Sequence, residues 1–96
     1  MSRTVYVNGE YLAEEDAKIS IFDRGFLMAD GVYEVTSILG GKMIDFAGHS
    51  KRLARSLSEL DMAPPETDDE IESIHRELIQ ANDLVEGLVY LQVTRG

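Results

Sequence analysis

The chain contains no cysteine, only two prolines, and half as many basic as acidic residues, 9 against 18, for a formal net charge of -9. Without cysteine there is neither a disulfide framework nor a thiolate metal site, which suits a reducing cytoplasm. The shortage of lysine and arginine argues against nucleic acid as a partner, because binding along a phosphate backbone needs a basic face. Long apolar runs are missing as well. No segment approaches the roughly 20 residues of a helical membrane span, and the opening "MSRTVYVNGE" lacks the apolar stretch of a signal peptide. A soluble, cytoplasmic domain is expected. A chain of 96 residues buries only about two thirds of its unfolded surface, so its core is thin and a partner is expected to cover part of it.

What is present is well punctuated. Asn8-Gly9 separates two runs of strand formers in "TVYVNGEYLA", and both turn residues tolerate the positive φ of a tight hairpin, so strands over 3–7 and 10–13 are expected. "KISIF" at 18–22 sets Ile19 and Ile21 on one face and reads as a third strand. "DRGFLMADG" carries turn chemistry at both ends and reads as a compact loop. "VYEVTSIL" at 32–39 is β-branched and aromatic, and Gly40-Gly41 turns it into "KMIDF" as a second hairpin. From about Gly48 the period becomes helical, with Leu53, Leu57 and Leu60 on one stripe and His49, Arg52, Ser56 and Glu59 on the next, ending before Pro64-Pro65. Thr67 and Glu70 have capping-box spacing at the head of a second helix, which runs to about Asn82 and buries Ile71, Ile74, Leu78 and Ile79. "EGLVYLQVTRG" is the last strand. The order ββββ β α α β describes one α+β domain, an antiparallel-rich sheet with two helices.

Against the acidic background, His49, Lys51, Arg52 and Arg55 crowd the start of the first helix, where the dipole disfavours cations. One reading is a solvated face, with Lys51 and Arg55 paired to acids such as Glu59. The other is an anion site, in which free helix-start N–H groups and an arginine fork hold a phosphate. The spacing does not choose between them. The run "TDDE" is what the first turn of a helix asks for, and no glycine-punctuated calcium loop accompanies it, so no metal site is expected. His49 and His75 stand without a second ligand or a nucleophile at useful spacing, and are expected at the surface or in caps. Tyr33 and Val35 project from one face of the 32–39 strand, while Val32, Glu34 and Thr36 project from the other. A carboxylate at position 34, among apolar and β-branched neighbours, has to be paired or lie at an opening.

The opening "YVNG", then "DRGFLMADGVYEV", the Gly-Gly hairpin, "HSKRL" and the closing "YLQVTRG" occur in an order and spacing that together are far more specific than any one motif. In them the chain resembles the class IV aminotransferases, the fold-type IV pyridoxal-phosphate enzymes, and most closely their D-amino-acid transaminases. The resemblance covers nearly the whole chain. It implies the smaller, N-terminal domain of an enzyme roughly three times as long, with the cofactor in the cleft between this domain and a larger one. It makes Arg52, in His-x-x-Arg, the arginine that binds the cofactor phosphate. It sets Tyr33 on the substrate side of the cofactor, with Val35 lining the same pocket and Glu34 behind them on the opposite face.

The same resemblance implies what this chain does not supply. None of Lys18, Lys42 and Lys51 matches the family's cofactor-binding lysine, so no catalytic residue is expected here. That lysine, the glutamate at the pyridine nitrogen and the arginine segment for the substrate carboxylate are expected beyond Gly96. The parent would move an amino group from a D-amino acid such as D-alanine to a 2-oxo acid, as a homodimer, and the fragment alone would be inactive. Aminodeoxychorismate lyase and branched-chain aminotransferase share this fold and are the near alternatives, although "YEV" tilts toward the D-amino-acid enzymes. From another class, the alternative is a non-catalytic domain that binds a partner through its acidic surface.

Overall fold

Asn8 and Gly9 take φ of 49° and 95°, the left-handed turn that matches the twist of a two-residue hairpin. In the computed structural model, which describes residues 2–96, they join β1 (Thr4–Val7) to β2 (Glu10–Ala13). This hairpin is a two-stranded sheet of its own. It is tied down by Asn82, whose Oδ1 accepts from the Thr4 N–H at 2.8 Å and whose Nδ2 donates to the Thr4 carbonyl at 2.9 Å. Tyr6 adds a second tie, its hydroxyl donating to Glu66 Oε1 at 2.7 Å. That carboxylate, to which the neutral phenol donates, pushes the Tyr6 pKa up to about 12.

The third strand expected over 18–22 is not formed: residues 17–20 are irregular and 21–22 lie in a turn. Ile19 and Ile21 are 60% and 68% exposed. Their alternation faces no core, and among the described residues no neighbouring strand offers a ladder, so the backbone has nothing to gain from extending. The expected Asp-Arg-Gly loop is instead a short helix, α1 (Arg24–Met28), started by Asp23, whose side chain accepts from the Gly25 N–H, and ended by Ala29 with φ of 53°. Among the described residues the α-helices therefore number three rather than two, and the order is ββαββααβ, with a single 3-10 turn at Glu14–Asp16.

The second sheet carries β3 (Gly31–Leu39), β4 (Lys42–Met43) and β5 (Glu86–Thr94) in the order β4-β3-β5, all antiparallel. β4 pairs only with Ile38 and Leu39, whereas β5 pairs along the whole of β3, from Gly31 opposite Thr94 through Tyr33 opposite Gln92 to Leu39 opposite Glu86. Among the described residues, β3 thus has a ladder partner on one side only over its first half. Both long helices pack on the same face of this sheet. α2 (Phe46–Glu59) starts two residues earlier than its period suggests, because Asp45 caps it, and α3 (Asp68–Ala81) begins with the Thr67–Glu70 capping box. Leu53, Leu57 and Ile71 form one buried cluster with Val32, Phe46 and Leu91, and Ile38, Ile79 and Val89 form the other with Met43 and Leu84. The opposite face of the sheet is largely exposed: Tyr33, Leu39, Leu88 and Tyr90 are each more than half exposed, and Val35 is half-buried.

Candidate functional site

Glu34 alternates with Tyr33 and Val35 along β3, so it turns under α2 and is only 8% exposed. An ionised carboxylate at that depth needs partners. It has three N–H donors. Arg52 Nε donates to Oε2 at 3.0 Å and Arg52 Nη2 to Oε1 at 2.9 Å, and His49 Nδ1 lies 2.7 Å from Oε1. Because a carboxylate only accepts, Nδ1 carries the proton of that bond. The 2.9 Å approach of Arg52 Nη2 to His49 Nδ1 is then two donors converging on one acceptor rather than a hydrogen bond between them. α2 makes this meeting possible, since His49 and Arg52 are three residues apart on one of its faces.

The charges adjust accordingly. The Arg52 guanidinium, followed by burial acting in the opposite sense and then by the His49 bond, holds the Glu34 carboxyl below its ordinary 4.5, and Glu34 in turn raises Arg52. Arg52 uses its Nε–Nη2 edge for this pairing, and its side chain is still 60% exposed. Among the described residues Nη1 has no hydrogen-bond acceptor, so the exposed guanidinium keeps N–H bonds for a second, external anion. Arg55 is different: its Nε donates to Glu59 at 3.3 Å, both side chains are largely exposed, and this half of the basic cluster is a solvated face.

Two expectations about histidine change. His49 is not a surface or cap residue but a member of the Glu34 cluster, its side chain 18% exposed. His75 is buried, at 4% exposure, with its ring edge-on to Phe46 and Nδ1 donating to the Ile71 carbonyl at 2.8 Å. Burial pushes its pKa below the ordinary 6.5. Between the two rings, beside Glu34, lies a crevice of about 10 Å³, room for about one water and far too small for a cofactor. A larger ligand would have to meet this cluster from outside, where the Arg52 side chain is exposed. Tyr33 and Val35 are on the opposite face of β3 from Glu34, where the Tyr33 ring stacks on Tyr90 at 5.7 Å and 15°. The open face thus includes Tyr90, which strand alternation in "LVYLQV" carries as plainly as it carries Tyr33 but which sequence reasoning passed over.

Depressed pKa values set a pH dependence of stability: His75 acts near neutrality, and Glu34 shares the acid range with Glu14, Asp30 and Glu70, whose carboxyls are lowered as well. For each group the unfolded chain takes up a proton at a pH where the folded chain does not, so stability is complete above the unfolded value and is lost on acidification toward the folded one. The loss begins below about 6.5 for His75 and below about 4.5 for Glu34. Thermal unfolding midpoints measured across this range should fall in both windows, and His75→Leu should flatten the upper window while leaving the lower one. Equal slopes in wild type and variant between about pH 6.5 and 5 would remove His75 from the account.

The class IV amino-transferase family model matches residues 31–96. The chain belongs to the class IV aminotransferases. It is 39% identical over 92 residues to the D-alanine aminotransferase of Staphylococcus epidermidis, covering 96% of this chain and 33% of that protein. The D-alanine aminotransferase of Listeria monocytogenes is also 39% identical, over 96% of this chain and 32% of that protein. The chain therefore spans about a third of the length of the curated relatives it matches. Among solved structures, a T.th. branched-chain amino acid aminotransferase complexed with N-(5'-phosphopyridoxyl)-L-glutamate superposes with a TM-score of 0.92 at 20% identity, over 99% of this chain and 34% of that one. The branched-chain aminotransferase of Thermoproteus uzoniensis with norvaline gives 0.80 at 25% identity, over 96% of this chain and 32% of that one. These establish the fold of this class IV domain as the α+β arrangement described above.

Proposed function

We propose that this chain is the smaller, N-terminal domain of a longer pyridoxal-phosphate transaminase that moves the amino group of a D-amino acid, D-alanine first among them, to a 2-oxo acid. The observation that carries the reading is Arg52, whose Nε–Nη2 edge is held by the buried Glu34 while its side chain stays 60% exposed and its Nη1 meets no acceptor among the described residues. The names of the relatives at 39% identity support the D-amino-acid side of the reading. When bound, pyridoxal phosphate supplies the electron sink that lets a bond to the substrate's α-carbon break. Arg52 would hold its phosphate bidentately, and Glu34 with His49 would hold Arg52 in place. Tyr33 and Val35 would border the substrate side from the largely exposed face of the sheet. The one-sided pairing of β3 from Gly31 to Thr36 supports this division, because a ligand lying across that edge reaches Arg52 on one face and Tyr33 on the other.

In this reading the cofactor-binding lysine lies outside this chain, and the domain works in the cytoplasm within a homodimer. The exposed run Ile19, Ile21, Phe22, Phe26, Leu27 and Met28, each at least 55% exposed, supports coverage by further protein. Two preparations test the proposal. The 96-residue chain mixed with pyridoxal phosphate and reduced with borohydride should trap no cofactor at a unique lysine, whereas the full-length gene product should trap it at one lysine beyond Gly96 and transaminate D-alanine. Turnover by the short chain with an adduct on Lys18, Lys42 or Lys51 would defeat the placement. A full-length product that ignores the cofactor would defeat the activity, and one that prefers L-alanine would defeat the stereochemistry.

A further inference from the structure

α1 is held in an unusual way for a helix. None of its five residues is buried, and Phe26, Leu27 and Met28 are all more than half exposed, so apolar packing does not fix it. Polar contacts to the end of β5 do. Asp23 caps α1 through one carboxylate oxygen, Oδ1, at 2.8 Å from the Gly25 N–H, and accepts from the Thr94 hydroxyl through the other at 3.1 Å. Arg24 donates twice to the Gly96 carbonyl, from its backbone N–H at 3.0 Å and from Nε at 2.7 Å, and its Nη2 donates to the Arg95 carbonyl at 3.1 Å. Gly25 is required for the approach, since a Cβ there would collide with Thr94 Cγ2. From the other side, Asp30 accepts the Arg95 backbone N–H at 3.1 Å through its carbonyl and Arg95 Nε at 2.7 Å through its carboxylate. The last ladder pair is Gly31 opposite Thr94. Beyond a last pair a strand ordinarily frays, yet here the Arg95 N–H and the Arg95 and Gly96 carbonyls are all held by Asp30 and Arg24.

We propose that Asp23-Arg24-Gly25 and Asp30 form a clamp that sets the direction in which the chain leaves β5, making Arg24 a positioning residue for the segment that follows Gly96. This rests on the proposed function, because it takes the chain to continue past Gly96. The register says why the direction matters. Thr94 stands opposite Gly31, two residues from the Tyr33–Gln92 pair, so the departing segment starts beside the tyrosine assigned to the substrate side. A tilt at the clamp displaces that segment relative to the substrate while leaving Arg52, on the far face of β3, undisturbed.

The test uses the full-length holoenzyme with Arg24→Ala, Arg24→Lys and Thr94→Val. In Arg24→Ala, amide hydrogen exchange just after Gly96 should accelerate about tenfold and KM for the amino donor should rise about tenfold, the scale of losing one or two charge-assisted hydrogen bonds, with cofactor dissociation unchanged. Arg24→Lys should recover part of both, because an ammonium reaches the Gly96 carbonyl but cannot span to Arg95. A folded Arg24→Ala enzyme with wild-type exchange and KM overturns the clamp, and so does one that loses cofactor in proportion to its rise in KM. If Arg24→Ala does not fold, Thr94→Val decides: faster exchange after Gly96 supports the clamp, and wild-type exchange overturns it. Should the wild-type enzyme fail to transaminate, the proposed function falls and the exchange measurement still decides the clamp.

Discussion

Arg52→Ala in the full-length enzyme should weaken cofactor affinity by about one to two powers of ten, the range for losing a bidentate, charge-assisted contact to a phosphate. The geometry makes the expectation sharp. Its inner edge is engaged with Glu34, so a ligand meets a fork that is already oriented, and little ordering is left to do on binding. Arg52→Lys should restore only part of the affinity, since one ammonium cannot bond both Glu34 oxygens and a phosphate in fixed directions. Arg55→Ala, one turn further along α2, should change affinity little, because its guanidinium is solvated and paired with Glu59. Tyr33→Phe should keep the cofactor and alter turnover. Cofactor dissociation measured for these four variants beside wild type checks the assignment, and indistinguishable values for Arg52→Ala and Arg55→Ala would refute it.

How far these features are legible in the sequence depends on how local their causes are. The Asn8-Gly9 hairpin and the Thr67–Glu70 cap are set by residues within a few positions of one another, and both form as read. Strand 18–22 fails because alternation only stands in for a partner, and among the described residues no strand pairs with Ile19 and Ile21. α1 is missed because aspartate as turn former and aspartate as helix cap are the same chemistry, and the burial that would separate them is absent. His75 is readable: it falls four residues after Ile71 and four before Ile79, squarely on the buried stripe, but its polarity argues it outward. The Glu34 cluster is half readable. Glu34 needs a partner and Arg52 needs an anion, yet their meeting depends on α2 lying across β3, and so does the recruitment of His49. The phosphate itself is named by family resemblance, since no local pattern distinguishes it from other anions.

Glu34→Ala should separate two roles that meet at this carboxylate. In the fold, Glu34 is the acceptor on which Arg52 and His49 converge, and its loss leaves their donors without it. Breaking a fully buried ion pair costs about 3–5 kcal/mol and an exposed one under about 1. The Glu34 side chain is 9% exposed, but its main partner is 60% exposed and can turn to water, so an intermediate loss of about 1–3 kcal/mol in the domain's unfolding free energy is expected. Glu34→Gln should not rescue it, because one amide oxygen replaces two carboxylate oxygens for three donors, and the amide N–H₂ then confronts an N–H. In cofactor binding the substitution acts in two opposing directions. Removing a negative charge behind the proposed phosphate site should strengthen attraction, while freeing the guanidinium should reinstate its ordering cost, and each is worth a few-fold in affinity. The net change should therefore be well below that of Arg52→Ala, with a steeper dependence on salt because the site has gained net positive charge. Denaturant midpoints for the domain and cofactor dissociation for the full-length enzyme, at two ionic strengths, test both halves. A folded Glu34→Ala enzyme that loses cofactor as completely as Arg52→Ala would mean that the pair acts as one indivisible binding group, and an unchanged midpoint would mean that the buried carboxylate contributes nothing to the fold.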